Sequence, residues 1–111
     1  MNLKVIIEDK AYQINIPDNM LEEAEDFFRK MDHDMDQGWQ MSRVFIENPD
    51  RTERCQIAAD KLLTAMEAEN ETLANLMAAY ILKRMPDVKT VYIDAAGEMQ
   101  NTEFNNSLVD L

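Results

Sequence analysis

Apolar residues alternate with polar ones at both ends of this chain and recur at three- and four-residue steps through its middle. Leu3, Val5 and Ile7 share one side of a first extended run, and Tyr12, Ile14 and Ile16 share one side of a second. Glu8-Asp9-Lys10-Ala11 lies between them, so the alternation predicts a β-hairpin over residues 3–16 with one face that must be covered. Pro17-Asp18-Asn19 ends the second strand, and Asn19 with Glu22 has the spacing of a helix capping box. Glu22, Glu23, Glu25 and Asp26 suit the positive end of the helix that follows. Leu21, Ala24, Phe28, Met31 and Met35 then keep helical spacing, and the same track runs on through Gly38 and Ser42 to Phe45.

Asn48-Pro49-Asp50 interrupts the pattern, since proline disfavours helix in the residue before it and suits the first turn of the next. Asp50 with Glu53 forms a second capping-box signature. Cys55, Ala59, Leu62, Met66, Leu73, Leu76 and Tyr80 resume helical spacing, widened by Leu63, Met77 and Ile81, with one polar gap near Glu69-Asn70. The phase is kept across that gap, which favours a continuous helix, while Asn70 is also a good cap for a separate one. Pro86 stops the helical pattern. Val88, Val91 and Ile93 read as a strand, and Glu98 to Phe104 as a weaker return strand.

The expected fold is α+β. A small antiparallel sheet, made of the N-terminal β-hairpin and the strand at Val91–Ile93, carries a long antiparallel helical hairpin that is either continuous through Asn70 or broken there into three helices. Residues 1–104 form a single domain in this reading, and 105–111 a flexible tail. The plan resembles that of prefoldin-like subunits; no motif is shared, and the resemblance implies nothing about activity.

Charge alters the list of partners. Twenty-two acidic residues against 11 basic ones give a net charge of −11, which opposes direct binding to nucleic acid or to an anionic lipid surface. The apolar run at the N-terminus is short for a signal peptide, and no stretch approaches the ~18 apolar residues of a membrane span. Cys55 is the only cysteine, which excludes an intrachain disulfide and favours a reducing, cytoplasmic setting.

Three constellations have chemical content. Asp32, His33 and Asp36 offer two carboxylates one helical turn apart with an imidazole beside them, a weak match to a divalent-metal site. Cys55 lies near Arg51 and Arg54, cations that lower a thiol pKa when they face it, yet it also sits on an apolar track where buried thiols are inert. Trp39, Gln40, Arg43, Arg51, Arg54 and Gln56 fall around the Pro49 break, where the chain is least acidic, and have the aromatic and arginine character of a binding surface. With only Gly38 and Gly97, there is no glycine-rich phosphate loop.

No cofactor is implied. Subtraction and the width of the apolar helix stripe point to a non-enzymatic protein–protein interaction module, a homodimer that associates through helical faces. Two other classes stay open: a metal-dependent or thiol enzyme using Asp32, His33 and Asp36 or Cys55, and an acidic regulator whose Glu22–Asp36 face binds a basic or nucleic-acid-binding protein.

Overall fold

A computed structural model of the chain describes residues 1–108. The N-terminal alternation forms β1 (Asn2–Ile7) and β2 (Lys10–Asn15), paired antiparallel from Asn2–Asn15 to Ile7–Lys10. Only Glu8 and Asp9 form the link, with Glu8 in the left-handed region (φ 58°). After Pro17 come α1 (Met20–Glu23) and α2 (Glu25–Asp36). A small hairpin follows, β3 (Trp39–Met41) and β4 (Val44–Ile46), then α3 (Arg51–Glu67), α4 (Glu71–Arg84), β5 (Thr90–Ile93), a single 3-10 turn at Met99–Asn101, and β6 (Glu103–Asn105).

The α+β class stands, and the sheet is mixed rather than antiparallel. Its order is β2-β1-β5-β6, with β5 parallel to β1 and β6 antiparallel to β5. Helices separate β2 from β5, so the chain returns beside β1 running the same way, as a crossover connection allows and a hairpin does not. Leu3, Val5, Val91 and Ile93 form the covered face of the sheet. Against it pack α3 and α4, whose small residues Ala58, Ala59, Ala65, Ala74, Ala78 and Ala79 are all buried and let the backbones come close. Phe28 and Met35 of α2 join the same core, with the Phe28 ring edge-on to Tyr80 at 5.7 Å.

The long helical hairpin is absent, and with it the likeness to prefoldin-like subunits. Its first arm ends at Asp36 because Gly38 is not inside a helix. It follows the helix in a left-handed conformation (φ +95°), and its amide donates to the Met35 carbonyl, which is the usual way a glycine closes a helix. The second arm breaks at Glu69-Asn70, the alternative that the sequence also offered. The Asn70 amide donates to Ala65 O and the Glu69 amide to Met66 O, the double closure of a Schellman motif, with Glu69 at the left-handed position (φ 56°). Asn70 Oδ1 then accepts from the Leu73 amide and starts α4. At the N-terminus of α3 the expected capping box is present: Glu53 N donates to Asp50 Oδ1 at 2.8 Å and Asp50 N to Glu53 Oε1 at 2.9 Å. The one expected at Asn19 is not, since Asn19 Nδ2 donates to Glu23 Oε1 and no side chain caps α1. The radius of gyration of 13.0 Å matches the ~13 Å of a compact domain of about this length.

Asn105, placed in the expected tail, ends β6 opposite Thr90, whose hydroxyl donates to Ser107 O. Residues 109–111 of that tail lie outside the described residues.

Two substitutions with opposite signs check these helix ends. A Cβ on Gly38 would lie 2.3 Å from Phe45 Cζ and 3.1 Å from Ile46 O, on a backbone that alanine adopts poorly. Gly38→Ala is expected to lower unfolding free energy by about 2 kcal/mol. Glu69→Gly relieves a left-handed non-glycine residue and is expected to raise it by about 0.5–1 kcal/mol. Urea denaturation of the two variants reads both values.

Candidate functional site

The densest polar cluster joins three helices. Asp32 of α2 accepts from the Tyr80 hydroxyl at 2.6 Å and from Arg84 at 2.5 Å, both on α4, and from Arg54 of α3 at 3.4 Å. Arg54 also donates to Asp36 Oδ1 at 2.6 Å, to Asn48 Oδ1 at 3.1 Å, and to the backbone oxygens of Asp32 and Pro49. Tyr80 and Arg84 are one helical turn apart on α4, as are Asp32 and Asp36 on α2, so each pair presents both members to the same side. Arg84 also lies 5.0 Å from the centre of the Tyr80 ring.

The electrostatics of the cluster are those of a clamp. Burial disfavours charge on Asp32, but the hydrogen bonds from Tyr80, Arg84 and Arg54, with the charge of Arg84, hold its carboxyl below the ordinary value. Burial, together with the hydrogen bond to Asp32 and its charge, pushes the Tyr80 phenol well up, so it remains a donor. Burial opposes the charge of Arg54 and Arg84, and their carboxylate partners outweigh it. Every strong donor here meets an acceptor.

The metal triad from the sequence is therefore divided. Asp32 and Asp36 converge on arginines, which compete with any cation for the same oxygens, while His33 is exposed. Among the described residues no group of three or more His, Cys, Asp or Glu gathers in a way that could hold a metal ion. Cys55 is fully buried. Burial pushes its thiol up to about 12, against the pull of Arg84 and Arg51 and with a contribution from Asp32 in the same direction as burial. Of the two arginines expected to activate it, Arg51 does pull the thiol down and Arg54 is engaged with Asp32 and Asp36 instead; desolvation outweighs the pull.

The six residues around the Pro49 break are not one surface. Trp39 is half-buried with Lys61 over its ring at 4.9 Å. Arg43, in the β3–β4 turn, pairs with Glu98 at 3.5 Å, and Gln40 donates to Ser42 O. Arg51 is exposed beside a cleft lined by Pro86, Asp87 and Glu103. Arg54 is committed to the clamp, and the buried Gln56 amide donates to Gln100 O and Thr102 O, both at 3.1 Å. Helical spacing had suggested one helix from Asn19 to Phe45; the hairpin after Gly38 disperses these side chains.

A different feature is open. Where α2 crosses α3 and α4, a cleft of about 540 Å³ is lined by Phe27, Met31, Leu73 and Met77, with Lys30, Asp34, Asp60, Lys61 and Thr64 around it. Phe27 is 40% exposed there, high for a phenylalanine on a helix that also buries Phe28 completely. Burial raises the Asp60 carboxyl above its ordinary value, and Lys61 opposes the shift. Sequence reading missed this site because Phe27 lies off the main apolar track. The available signal was Phe27, four residues before Met31, which widens the apolar track on one side of the helix.

Asp32→Asn tests the clamp. It removes the charge that two arginines share, and at neutral pH it is expected to lower stability by about 2 kcal/mol, allowing for the partial exposure of the group. A carboxyl with a depressed folded-state pKa stabilises above its unfolded value and loses that contribution as pH falls through the folded one. The gap between wild type and variant should therefore close below about pH 4 and stay constant above about pH 6. Thermal melts across that range supply the comparison. Comparison with protein-family models, curated proteins and solved structures gives no match to this chain.

Proposed function

We propose that the protein is a non-enzymatic, cytoplasmic interaction module that pairs with a second copy of itself through the helical face around Phe27. One observation carries this reading. The apolar cleft between α2, α3 and α4 has a balanced rim, two lysines (Lys30, Lys61) and two aspartates (Asp34, Asp60), on a molecule whose net charge is −11. On a net-acidic molecule a charge-balanced rim lets two copies meet without net repulsion. A twofold axis across α2 places Lys30 of one copy opposite Asp34 of the other, and the reverse, which is what an isologous interface requires. Phe27, Met31, Leu73 and Met77 supply the apolar centre, with adaptable methionines on both sides.

The enzyme alternatives have less support. The carboxylates of Asp32 and Asp36 hold arginines, and the Cys55 thiol is neutral and enclosed. No helix among the described residues is long and apolar enough to cross a membrane.

Light scattering at high micromolar concentration is expected to give twice the chain mass for wild type and the single mass for Phe27→Asp. The variant's circular dichroism should be unchanged, because Phe27 is half-exposed. Lys30→Glu should weaken association about tenfold, and adding Asp34→Lys should restore it by exchanging the pair. A wild-type chain that stays monomeric throughout this range defeats the proposal.

A further inference from the structure

Strand β2 forms one edge of the four-stranded sheet. At its end Met1 and Ile16 exchange both backbone bonds, the Met1 amine donating to Ile16 O at 2.9 Å and the Ile16 amide to Met1 O at 2.7 Å. Along an antiparallel ladder such pairs alternate with pairs that exchange none. The register is unbroken from Asn2–Asn15 to Ile7–Lys10, so Ile14, Tyr12 and Lys10 commit their backbone groups to β1. Asn15, Gln13 and Ala11 aim theirs away from the sheet, and all three residues are exposed. Edges of this kind are usually guarded by proline, a bulge or charge. This one has no proline and no bulge, and only Lys10 at its extremity.

A groove of about 500 Å³ runs beside the same edge, between Tyr12–Asn15 and the corner where α3 meets α4. Ile14, Met66 and Ala74 supply its apolar surface. Glu69 and Glu71 are its charged lining residues, and no basic residue lines it.

We propose that the β2 edge takes up an extended peptide as an added strand, whose alternate apolar side chains enter the groove over Ile14, Met66 and Ala74 and whose flanking lysines or arginines meet Glu69 and Glu71. Backbone bonds to Ala11, Gln13 and Asn15 give the affinity, and the groove gives the selection. Charge decides the occupant. A second copy docked edge to edge would bring Glu69 and Glu71 of both chains together, whereas a basic segment neutralises them. The strand edge also suits a basic partner better than the Glu22–Asp36 helix face does. There Glu25 is shared between Arg29 and Lys83, and Asp32 and Asp36 already hold arginines. This surface is separate from the Phe27 cleft, and the two proposals stand or fall independently.

Two labelled probe peptides with the same alternating valine–threonine centre, one flanked by lysine pairs and one by glutamate pairs, test the idea on the whole chain. Fluorescence anisotropy should show the lysine-flanked probe binding at least about tenfold more tightly. Amide hydrogen exchange should slow at Ala11, Gln13 and Asn15 when it binds, with Tyr12 and Ile14 already protected in the free protein. Gln13→Pro removes an outward donor and none of the bonds to β1, a position where an edge strand tolerates proline, and should weaken binding about tenfold or more. Glu71→Lys, which leaves the groove with one charge of each sign, should abolish most of the preference between probes. If the proline variant does not fold, the two probes on wild type still decide the question. Equal binding of both probes overturns the proposal. So does protection of the three amides that rises with protein concentration alone, which assigns the edge to a second copy.

Discussion

Asp32 accepts hydrogen bonds from Tyr80, Arg84 and Arg54, and this carboxylate fixes where α2 lies on the rest of the molecule. Helix α2 buries only Phe28 and Met35, a narrow apolar attachment for an element that must stay seated. The clamp supplies the missing specification: a bond to α3 and two to α4 permit one rotation and one height. Arg54 extends the constraint to Asn48 and Pro49, the turn that launches α3. A partly buried ion cluster is seldom a large source of stability, because desolvation offsets the attraction, but its geometry excludes alternatives that an apolar contact would tolerate. Placing α2 in turn shapes the Phe27 cleft, which exists only because α2 crosses α3 and α4 at that height.

The clamp also redistributes charge. Asp32 meets Arg54 and Arg84 at the partly buried helix junction, and Asp36 pairs with Arg54 at its exposed rim, so the four charges are matched locally. What remains outside is sorted by place. Around Phe27 the signs are equal, whereas the charged residues lining the groove beside β2, Glu69 and Glu71, are both negative. An apolar cleft with a charge-balanced rim and an acidic groove beside a strand edge differ in the occupants they would suit. The same net charge that opposes edge-to-edge pairing of two copies favours a basic segment there.

Much of this architecture was legible in the sequence, for reasons specific to each element. The first hairpin showed because Leu3, Val5, Tyr12 and Ile14 alternate strictly. The α3 start showed because Asp50-Glu53 is a complete capping box. The second small hairpin was hidden: Phe45 falls on helical spacing from Phe28 and Met35, and Gly38 reads equally as a costly interior residue or as a helix stop. What decides is the run Trp39 to Ile46, rich in aromatic and β-branched side chains, which favours strand once the glycine has closed the helix. The Glu69-Asn70 break was ambiguous for the opposite reason. A left-handed position normally declares itself by glycine, and here a glutamate holds it, leaving Asn70 as the single local signal.

The clamp itself was beyond reach of spacing. Asp32, Arg54 and Arg84 are far apart in sequence, and folding α2 back on one continuous second helix would have put Asp32 against the wrong turn. Only the break at Glu69-Asn70 lets α4 present Tyr80 and Arg84 to α2 while α3 presents Arg54. Of the residues that looked most chemical, the fold encloses Cys55 and partly buries Asp32, and leaves Asp36 exposed but paired with Arg54; those surroundings change what they do. A carboxylate among guanidiniums becomes a fixed anion, and a desolvated thiol stays protonated. The surfaces left free to act, the Phe27 cleft and the β2 edge, carry no conspicuous chemistry and are suited to contact.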